Sequence, residues 1–201
     1  TAINLGTGRT AVAVAAFAFY TCAILDNGDL KCWGQDNFGQ LGDGGISTNT
    51  NAPSSTAIDV GSGRTSVAFV AGNYHTCAIL DNGDLKCWGS DSGGQLGDGG
   101  INADRYAPST TAIDLGMGRT AVSVSAGGGH TCAILDNGDA KCWGRDNYGQ
   151  LGDGGSNTDQ STPVMVSGSN TWDSSTGLSG GSGSGMTDVS GATCAISPSL
   201  P

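Results

Sequence analysis

The sequence predicts an all-β, propeller-like repeat array in which each unit supplies a blade of four short strands. Three blocks repeat at an interval of 55 residues, and each alternates short apolar runs with clusters of Gly, Pro and Asp. All 18 acidic residues are Asp and only three residues are Lys, although Glu and Lys normally fill exposed helix faces. A four-stranded unit of this period is typical of a propeller blade.

The repeats share a central motif and a loop motif. Thr-Cys-Ala-Ile-Leu-Asp-Asn-Gly-Asp-(Leu/Ala)-Lys-Cys-Trp-Gly recurs at 21–34, 76–89 and 131–144. Gly-Gln-Leu-Gly-Asp-Gly-Gly follows it at 39–45, 94–100 and 149–155. The chain therefore divides into repeats at 1–55, 56–110 and 111–162 and a degenerate partial repeat at 163–201. The partial repeat contains a Ser- and Gly-rich insertion at 167–185, which is typical of a flexible segment.

Four strands are expected in each repeat. The first lies in the run Thr-Ala-Ile-(Asn/Asp)-(Leu/Val), and the second lies in the apolar run that follows Gly-Arg-Thr. The two halves of the central motif supply the third and fourth strands, joined by a turn at Asp-Asn-Gly. In the partial repeat we expect weaker copies of the first three strands at 163–167, 186–190 and 193–196.

Each central motif carries two cysteines in a predicted β-hairpin. A three-residue loop at Asp26-Asn27-Gly28 places a glycine at the left-handed position and sets Cys22 directly opposite Cys32. A two-residue Asn-Gly loop would place the cysteines diagonally instead. The directly opposed register gives the short Cβ separation that a disulfide needs. The sequence therefore predicts three bridges, Cys22–Cys32, Cys77–Cys87 and Cys132–Cys142.

Disulfides persist in oxidising compartments, so the predicted location is extracellular or at the cell surface. The seventh cysteine, Cys194, matches the first member of a fourth pair whose second member the sequence lacks. It is expected to be unpaired or to pair with another chain. A zinc site would need four convergent ligands, and the sequence contains no Cys-x-x-Cys pair.

Three short motifs in the second repeat are more specific: His75-Thr76, Trp88-Gly89, and Gly-Gln-Leu-Gly at 94–97. Together they resemble the repeat of the regulator of chromosome condensation family, and the resemblance runs through most of the chain. It implies a seven-bladed β-propeller. The best-known member is a nuclear exchange factor for a small GTPase that also docks on chromatin. Paired cysteines and an acidic charge do not suit that setting, so this chain resembles a secreted, disulfide-bearing bacterial or archaeal type.

The charge of the chain argues against nucleic acid as a partner. The formal net charge is −10, and the eight basic residues are dispersed singly, whereas binding to DNA or RNA needs a basic face. The longest apolar run, at 11–20, is too short to span a bilayer, so no membrane insertion is expected.

The repeated polar residues favour structural roles, and we predict no catalytic or cofactor-binding residue. His75 and His130 occupy one repeat position, which Tyr20 holds in the first repeat. A catalytic histidine would be unique, so these are expected to make structural hydrogen bonds within their blades. The loop arginines are expected to contact neighbouring carboxylates or carbonyls: Arg9, Arg64 and Arg119. Blade-packing roles are expected for Trp33, Trp88 and Trp143.

Six aspartates in the loop motifs are weak candidates for a calcium site. Carboxylate oxygens are ligands that Ca²⁺ prefers, but the spacing does not match an EF-hand loop. Asp at turns commonly accepts hydrogen bonds from backbone amides instead. These two alternatives, a ligand for calcium or an acceptor for backbone amides, apply to the same six residues: Asp36, Asp43, Asp91, Asp98, Asp146 and Asp153.

The leading functional hypothesis is a non-enzymatic structural or interaction scaffold. An open arc of blades leaves two uncovered faces, so the expected partners are copies of the chain itself, in an oligomer or filament, or the rest of a longer propeller. The alternative is a ligand-binding propeller that recognises a protein or glycan through the loops at 46–53, 101–108 and 156–163. A third hypothesis, exchange-factor-like activity, rests on the family resemblance alone.

Overall fold

The computed structural model describes residues 2–45, 47–100 and 103–168. Within these ranges the chain forms ten β-strands and no helix, so the prediction of an all-β repeat fold is confirmed. None of the described residues belongs to a helix that could cross a membrane. The strands are β1 (Ala11–Phe17), β2 (Tyr20–Leu25), β3 (Leu30–Gly34), β4 (Ser66–Ala71), β5 (His75–Leu80), β6 (Leu85–Gly89), β7 (Ala121–Ala126), β8 (His130–Leu135), β9 (Ala140–Gly144) and β10 (Gln160–Met165).

The strands form three antiparallel sheets, which we call blades 1, 2 and 3. Blade 1 contains β1–β3, blade 2 contains β4–β6, and blade 3 contains β7–β10. In blade 1 the hairpin turns through Gly28 at a φ of 81°, and Ile24 lies opposite Leu30. Cys22 therefore lies directly opposite Cys32, which confirms the predicted register. Each of the three cysteine pairs is bridged, with Cα atoms 4.0 to 4.1 Å apart.

The outermost segment of each blade begins in the last residues of its own sequence repeat and continues into the next repeat. In blade 3 this segment is β10, which pairs with β9 and contains the predicted strand residues around Pro163. In blades 1 and 2 the equivalent segment makes one isolated bridge, Gly34 to Thr50 or Gly89 to Arg105. The segment rejoins the sheet further on, where the amide of Ile58 donates to the carbonyl of Leu30 at 2.9 Å.

The prediction of four regular strands in each repeat is therefore wrong for the described part of blades 1 and 2. Pro53 and Pro108 interrupt the fourth segment, and proline has no amide hydrogen to donate to a ladder. Even β10 shows a register shift between Gln160 and Val164, where Pro163 lies. An edge position accommodates proline because only one side of the strand must pair.

The hydrophobic core lies between the blades. We call the face of a blade that turns toward the next blade its forward face, and the opposite one its back face. The forward face of blade 1 carries Cys22 and Leu30, which pack against Phe69 and Trp88 on the back face of blade 2. A second cluster joins the forward face of blade 2 to the back face of blade 3. The disulfides of blades 1 and 2 thus lie inside interfaces between blades.

The back face of blade 1 has no neighbour among the described residues. Val14 is 54% exposed, whereas its counterparts Phe69 and Val124 are buried. Trp33 is half-buried, whereas Trp88 is fully buried in blade 2. The same motif residue is thus covered or uncovered according to whether a blade precedes it.

Several predicted features lie outside the described residues. These are Cys194, the strand candidates at 186–190 and 193–196, and the insertion at 167–185 apart from its first two residues.

Removing one bridge should lower the free energy of unfolding without changing the fold. We expect Cys77→Ala with Cys87→Ala to lose about 2–3 kcal/mol, because a bridge that closes a short loop restricts the unfolded chain. Urea denaturation followed by circular dichroism measures this loss. In fully reduced protein the variant and the wild type should have nearly equal stability, and a difference that survives reduction would contradict the explanation.

The repeated tryptophans offer a matched comparison of burial. Trp88→Ala should lose about 3–5 kcal/mol, because it removes a fully buried ring between two blades. Trp33→Ala should lose clearly less, because blade 1 leaves that ring half-exposed. Denaturation at concentrations low enough to prevent association measures both values. Equal losses would show that the back face of blade 1 is covered in solution.

Candidate interaction surfaces

One loop of each repeat reaches from its own blade to the next. We call residues 36–45, 91–100 and 146–155 the Gln-Leu loops. In the first loop, the carboxylate of Asp36 accepts a hydrogen bond from the amide of Leu41 at 2.9 Å, and the side-chain oxygen of Gln40 accepts one from the amide of Phe38 at 2.9 Å. Asp43 accepts from the amide of Gly45 at 2.7 Å. These side chains hold the loop compact.

The calcium candidates therefore serve as acceptors for backbone amides of their own loops. The carboxylates of Asp91 and Asp146 repeat the contact of Asp36, and those of Asp98 and Asp153 repeat the contact of Asp43. Burial raises the pKa of Asp91 to about 6, although the hydrogen bond from Leu96 opposes the shift. The described ranges contain no group of three or more His, Cys, Asp or Glu residues placed to hold a metal. Calcium at these loops stays a prediction.

The backbone carbonyl at the centre of each loop joins two blades. The carbonyl of Gln40 accepts hydrogen bonds from two buried side chains of blade 2, the hydroxyl of Thr76 at 2.8 Å and the indole of Trp88 at 3.2 Å. The next interface repeats this arrangement with Gln95, Thr131 and Trp143. Buried polar groups that are fully paired fix one geometry of contact, so the loop sets how successive blades meet.

A glycine makes this close approach possible. Gly42 has a φ of 71°, and a Cβ atom added there would overlap the indole ring of Trp88. Gly97 stands in the same relation to Trp143. Any side chain at either position would push the blades apart, which explains why the loop motif requires glycine after leucine.

A row of buried polar side chains crosses the same interfaces. The hydroxyl of Tyr20 donates to the carbonyl of His75 at 2.6 Å. The Nε2 atom of His75 lies 2.9 Å from the hydroxyl of Thr131, which already donates its proton to the carbonyl of Gln95. Nε2 of His75 therefore carries the hydrogen, and Nδ1, which has no hydrogen-bond partner in the described part of the chain, is unprotonated. The predicted structural bond of His75 thus runs between blades, so its placement within one blade is wrong.

The loop arginines contact carboxylates, as predicted. Arg9 pairs with Asp26 at 3.3 Å, and Arg64 pairs with Asp81 at 3.2 Å. The third pair is Arg119 with Asp136. These exposed pairs brace the hairpin turn within a single blade.

The two interfaces differ at one pair of positions. Between blades 1 and 2, Phe38 packs against Tyr74 with ring centroids 4.9 Å apart. Between blades 2 and 3 both equivalent positions are glycine, Gly93 and Gly129. A Cβ added at either would come within 3 Å of the side chain of Arg145, which fills the space left by the two rings. Residues at these two positions therefore match each other across each interface.

Comparison with known proteins supports the repeat assignment. A family model for the regulator of chromosome condensation (RCC1) repeat matches residues 27–79 and 82–134, which is more than half of the chain. A second model of the same repeat matches 11–40, 67–95 and 121–150. The chain belongs to the RCC1 repeat family.

The relatives are longer proteins with varied roles. The ultraviolet-B receptor UVR8 of Arabidopsis thaliana is 34% identical over 79% of this chain and 35% of its own length. The human E3 ubiquitin-protein ligase HERC2 is 30% identical over 73% of this chain and 3% of its own length. The chain thus spans about a third or less of these relatives.

Solved structures of RCC1-type propellers share the fold. Prp20p of Saccharomyces cerevisiae superposes with a TM-score of 0.68 at 21% identity, over 79% of this chain and 38% of Prp20p. Human WBSCR16 gives a TM-score of 0.68 at 21% identity, over 79% of this chain and 40% of WBSCR16. At this identity the likeness shows the propeller fold alone.

The variable loops of the RCC1 repeats are partly structural. The carbonyl of Tyr106 accepts a hydrogen bond from the amide of Gly44, and the carbonyl of Ser161 accepts one from the amide of Gly99, both at 2.9 Å. The second halves of the loops at 101–108 and 156–163 therefore pack on the Gln-Leu loop of the preceding blade. Ile46, the first residue of the loop at 46–53, lies outside the described residues, as do residues 101 and 102.

The histidine inside the array should remain neutral well below pH 6. Burial, with a smaller contribution from His130, lowers the pKa of His75 to about 3. In the unfolded chain a histidine titrates near 6.5. The contribution of His75 to stability is therefore complete above pH 6.5 and is lost as the pH falls toward 3, by about 1.4 kcal/mol per pH unit.

NMR titration of the imidazole nitrogens tests this expectation directly. His75 should keep the neutral Nε2–H form down to pH 4.5. A His75→Gln variant should lose less stability than the wild type between pH 7 and pH 5. Titration of His75 near pH 6.5 would contradict its buried position between the blades.

Proposed function

We propose that this chain is a non-enzymatic interaction scaffold that works outside the cell and assembles with copies of itself. One observation carries the proposal: the two ends of the array expose apolar residues whose counterparts are buried or half-buried at the interfaces between its blades. Phe19 and Val14 are exposed at one end, and Tyr148 is exposed at the other. Exposed apolar surface of this kind commonly marks an interface with another protein.

Membership of the RCC1 repeat family supports protein binding as the general role. The published description of Prp20p concerns its binding properties to Gsp1p and histones. Those partners belong to Prp20p, whereas the acidic charge of this chain does not suit histones or chromatin. The shared property that we carry over is a rigid propeller that presents surfaces to other proteins.

The three disulfides support a location outside the cell. Hairpin bridges of one geometry recur in all three blades. Such bridges persist in oxidising compartments and are rare in the cytosol, where thiols are kept reduced.

A second candidate is a ligand-binding propeller that recognises a protein or glycan through its variable loops. It is favoured by the exposure of the loop tips at 51–52 and 156–159, where the repeats also differ in sequence. Exchange of these tips between repeats should abolish ligand capture under this candidate, and it should leave assembly unchanged.

Self-assembly is tested by the mass of the chain in solution. In a Cys194→Ser background, which prevents cross-linking through that thiol, the average mass should rise with concentration in sedimentation equilibrium. Reduction should weaken assembly, because the bridges in blades 1 and 2 support the interfaces between blades. A constant monomer mass up to millimolar concentration would overturn the self-assembly proposal.

A further inference from the structure

The geometry points to a specific head-to-tail contact. We infer that the third Gln-Leu loop of one copy docks on the back face of blade 1 of a second copy, with Tyr148 of the first against Phe19 of the second. This inference rests on the proposed function and names the surfaces that carry it. The occupant follows from the two interfaces inside the chain, which show what covers each of these positions.

The receiving end is the back face of blade 1, and no described residues form a blade that precedes it. Trp33 and Thr21 are half-buried, whereas their counterparts Trp88 and Thr76 are fully buried. Inside the chain these side chains donate to the carbonyl of a Gln-Leu loop. Among the described residues, none accepts a hydrogen bond from the Trp33 indole. An incoming loop would supply that acceptor.

The sending end is the third Gln-Leu loop, at 146–155, and no described residues form a blade that follows it. Gly152 is exposed and Gln150 is half-exposed, whereas Gly42 and Gln40 are buried under blade 2. The loop is nevertheless already in the docking conformation. Leu151 donates its amide to Asp146 at 2.9 Å, and the side chain of Gln150 accepts from the amide of Tyr148 at 2.9 Å. The carbonyl of Gln150 therefore stands where those of Gln40 and Gln95 receive their partners.

A second copy is inferred as the occupant because of the two positions whose residues match each other across each interface. The first interface pairs two aromatic rings, and the second pairs two glycines with Arg145 between them. At the open ends the same positions hold Tyr148, which is 81% exposed, and Phe19, which is 66% exposed. Each end thus carries an aromatic residue at its own position of the pair, as both positions do in the first interface. Offset or tilted aromatic contacts add specificity to the burial of apolar surface.

The contact joins different surfaces of the two copies, so the first copy retains a free receiving end and the second retains a free sending end. Such a heterologous contact either closes into a ring or continues into a filament, according to the rotation between copies. In both cases the blades of successive copies would follow one another as the blades do within a chain.

Two single variants test the direction of the contact. Phe19→Asp blocks the receiving end and Tyr148→Asp blocks the sending end, and both positions are exposed, so the fold should survive. Each variant alone should require at least about tenfold higher concentration to associate, because it places a charge in an apolar contact. The control is Met117→Asp, at a side chain that is 99% exposed, which should assemble as the wild type does.

An equimolar mixture of the two variants gives the decisive result. Each variant keeps one intact end, so the mixture should form a two-chain complex that grows no further, as measured by sedimentation velocity. Circular dichroism checks that both variants are folded.

Other outcomes would overturn the inference, and they separate it from the proposed function. If the wild type assembles and the two variants assemble equally well, the contact is wrong and the scaffold proposal stands. Variants that lose assembly while their mixture stays monomeric would also overturn the head-to-tail pairing. A wild type that stays monomeric would overturn both, because other parts of the protein would then cover the ends.

Discussion

The carbonyl of Gln40 joins the first two blades, because it accepts hydrogen bonds from both Thr76 and Trp88 of the second. The rest of the array depends on this contact. The Asp36 carboxylate holds the loop in shape, Gly42 permits the close approach, and the apolar faces then meet on either side. Since the second interface repeats the arrangement at Gln95, the contact defines the step from one blade to the next.

The disulfides have a second role in this architecture. A hairpin bridge by itself restrains only the nine residues between its cysteines. Cys22 and Cys77, however, lie on forward faces and belong to the core clusters between blades. Each bridge therefore fixes the surface against which the next blade packs, as well as the hairpin that carries it. This placement links the oxidising setting proposed for the protein to the integrity of the array.

The hairpins and their register could be predicted, because the signals that determine them are local. Asp26-Asn27-Gly28 specifies the turn, and the turn specifies that Cys22 lies opposite Cys32. The bond from His75 to Thr131 was not predictable in the same way, because it joins residues 56 positions apart in different blades. The partial exposure of Trp33 could not be predicted either, because its local sequence matches that of Trp88. Only the presence of a preceding blade distinguishes the two residues. A signal was available for the contact positions: Phe38, Gly93 and Tyr148 differ among the three Gln-Leu loops, in which the last seven residues are identical.

In the proposed assembly, the ends of the array associate by the same contact that joins its blades. Amide hydrogen exchange of the chain, compared at dilute and assembling concentrations, tests it most directly. Assembly should slow exchange in two places only, the third Gln-Leu loop at 148–152 and the back face of blade 1 around Val14 and Trp33. The equivalent first and second loops, already covered by blades 2 and 3, should not change. Protection at the variable loops instead, with none at these two ends, would contradict the claim.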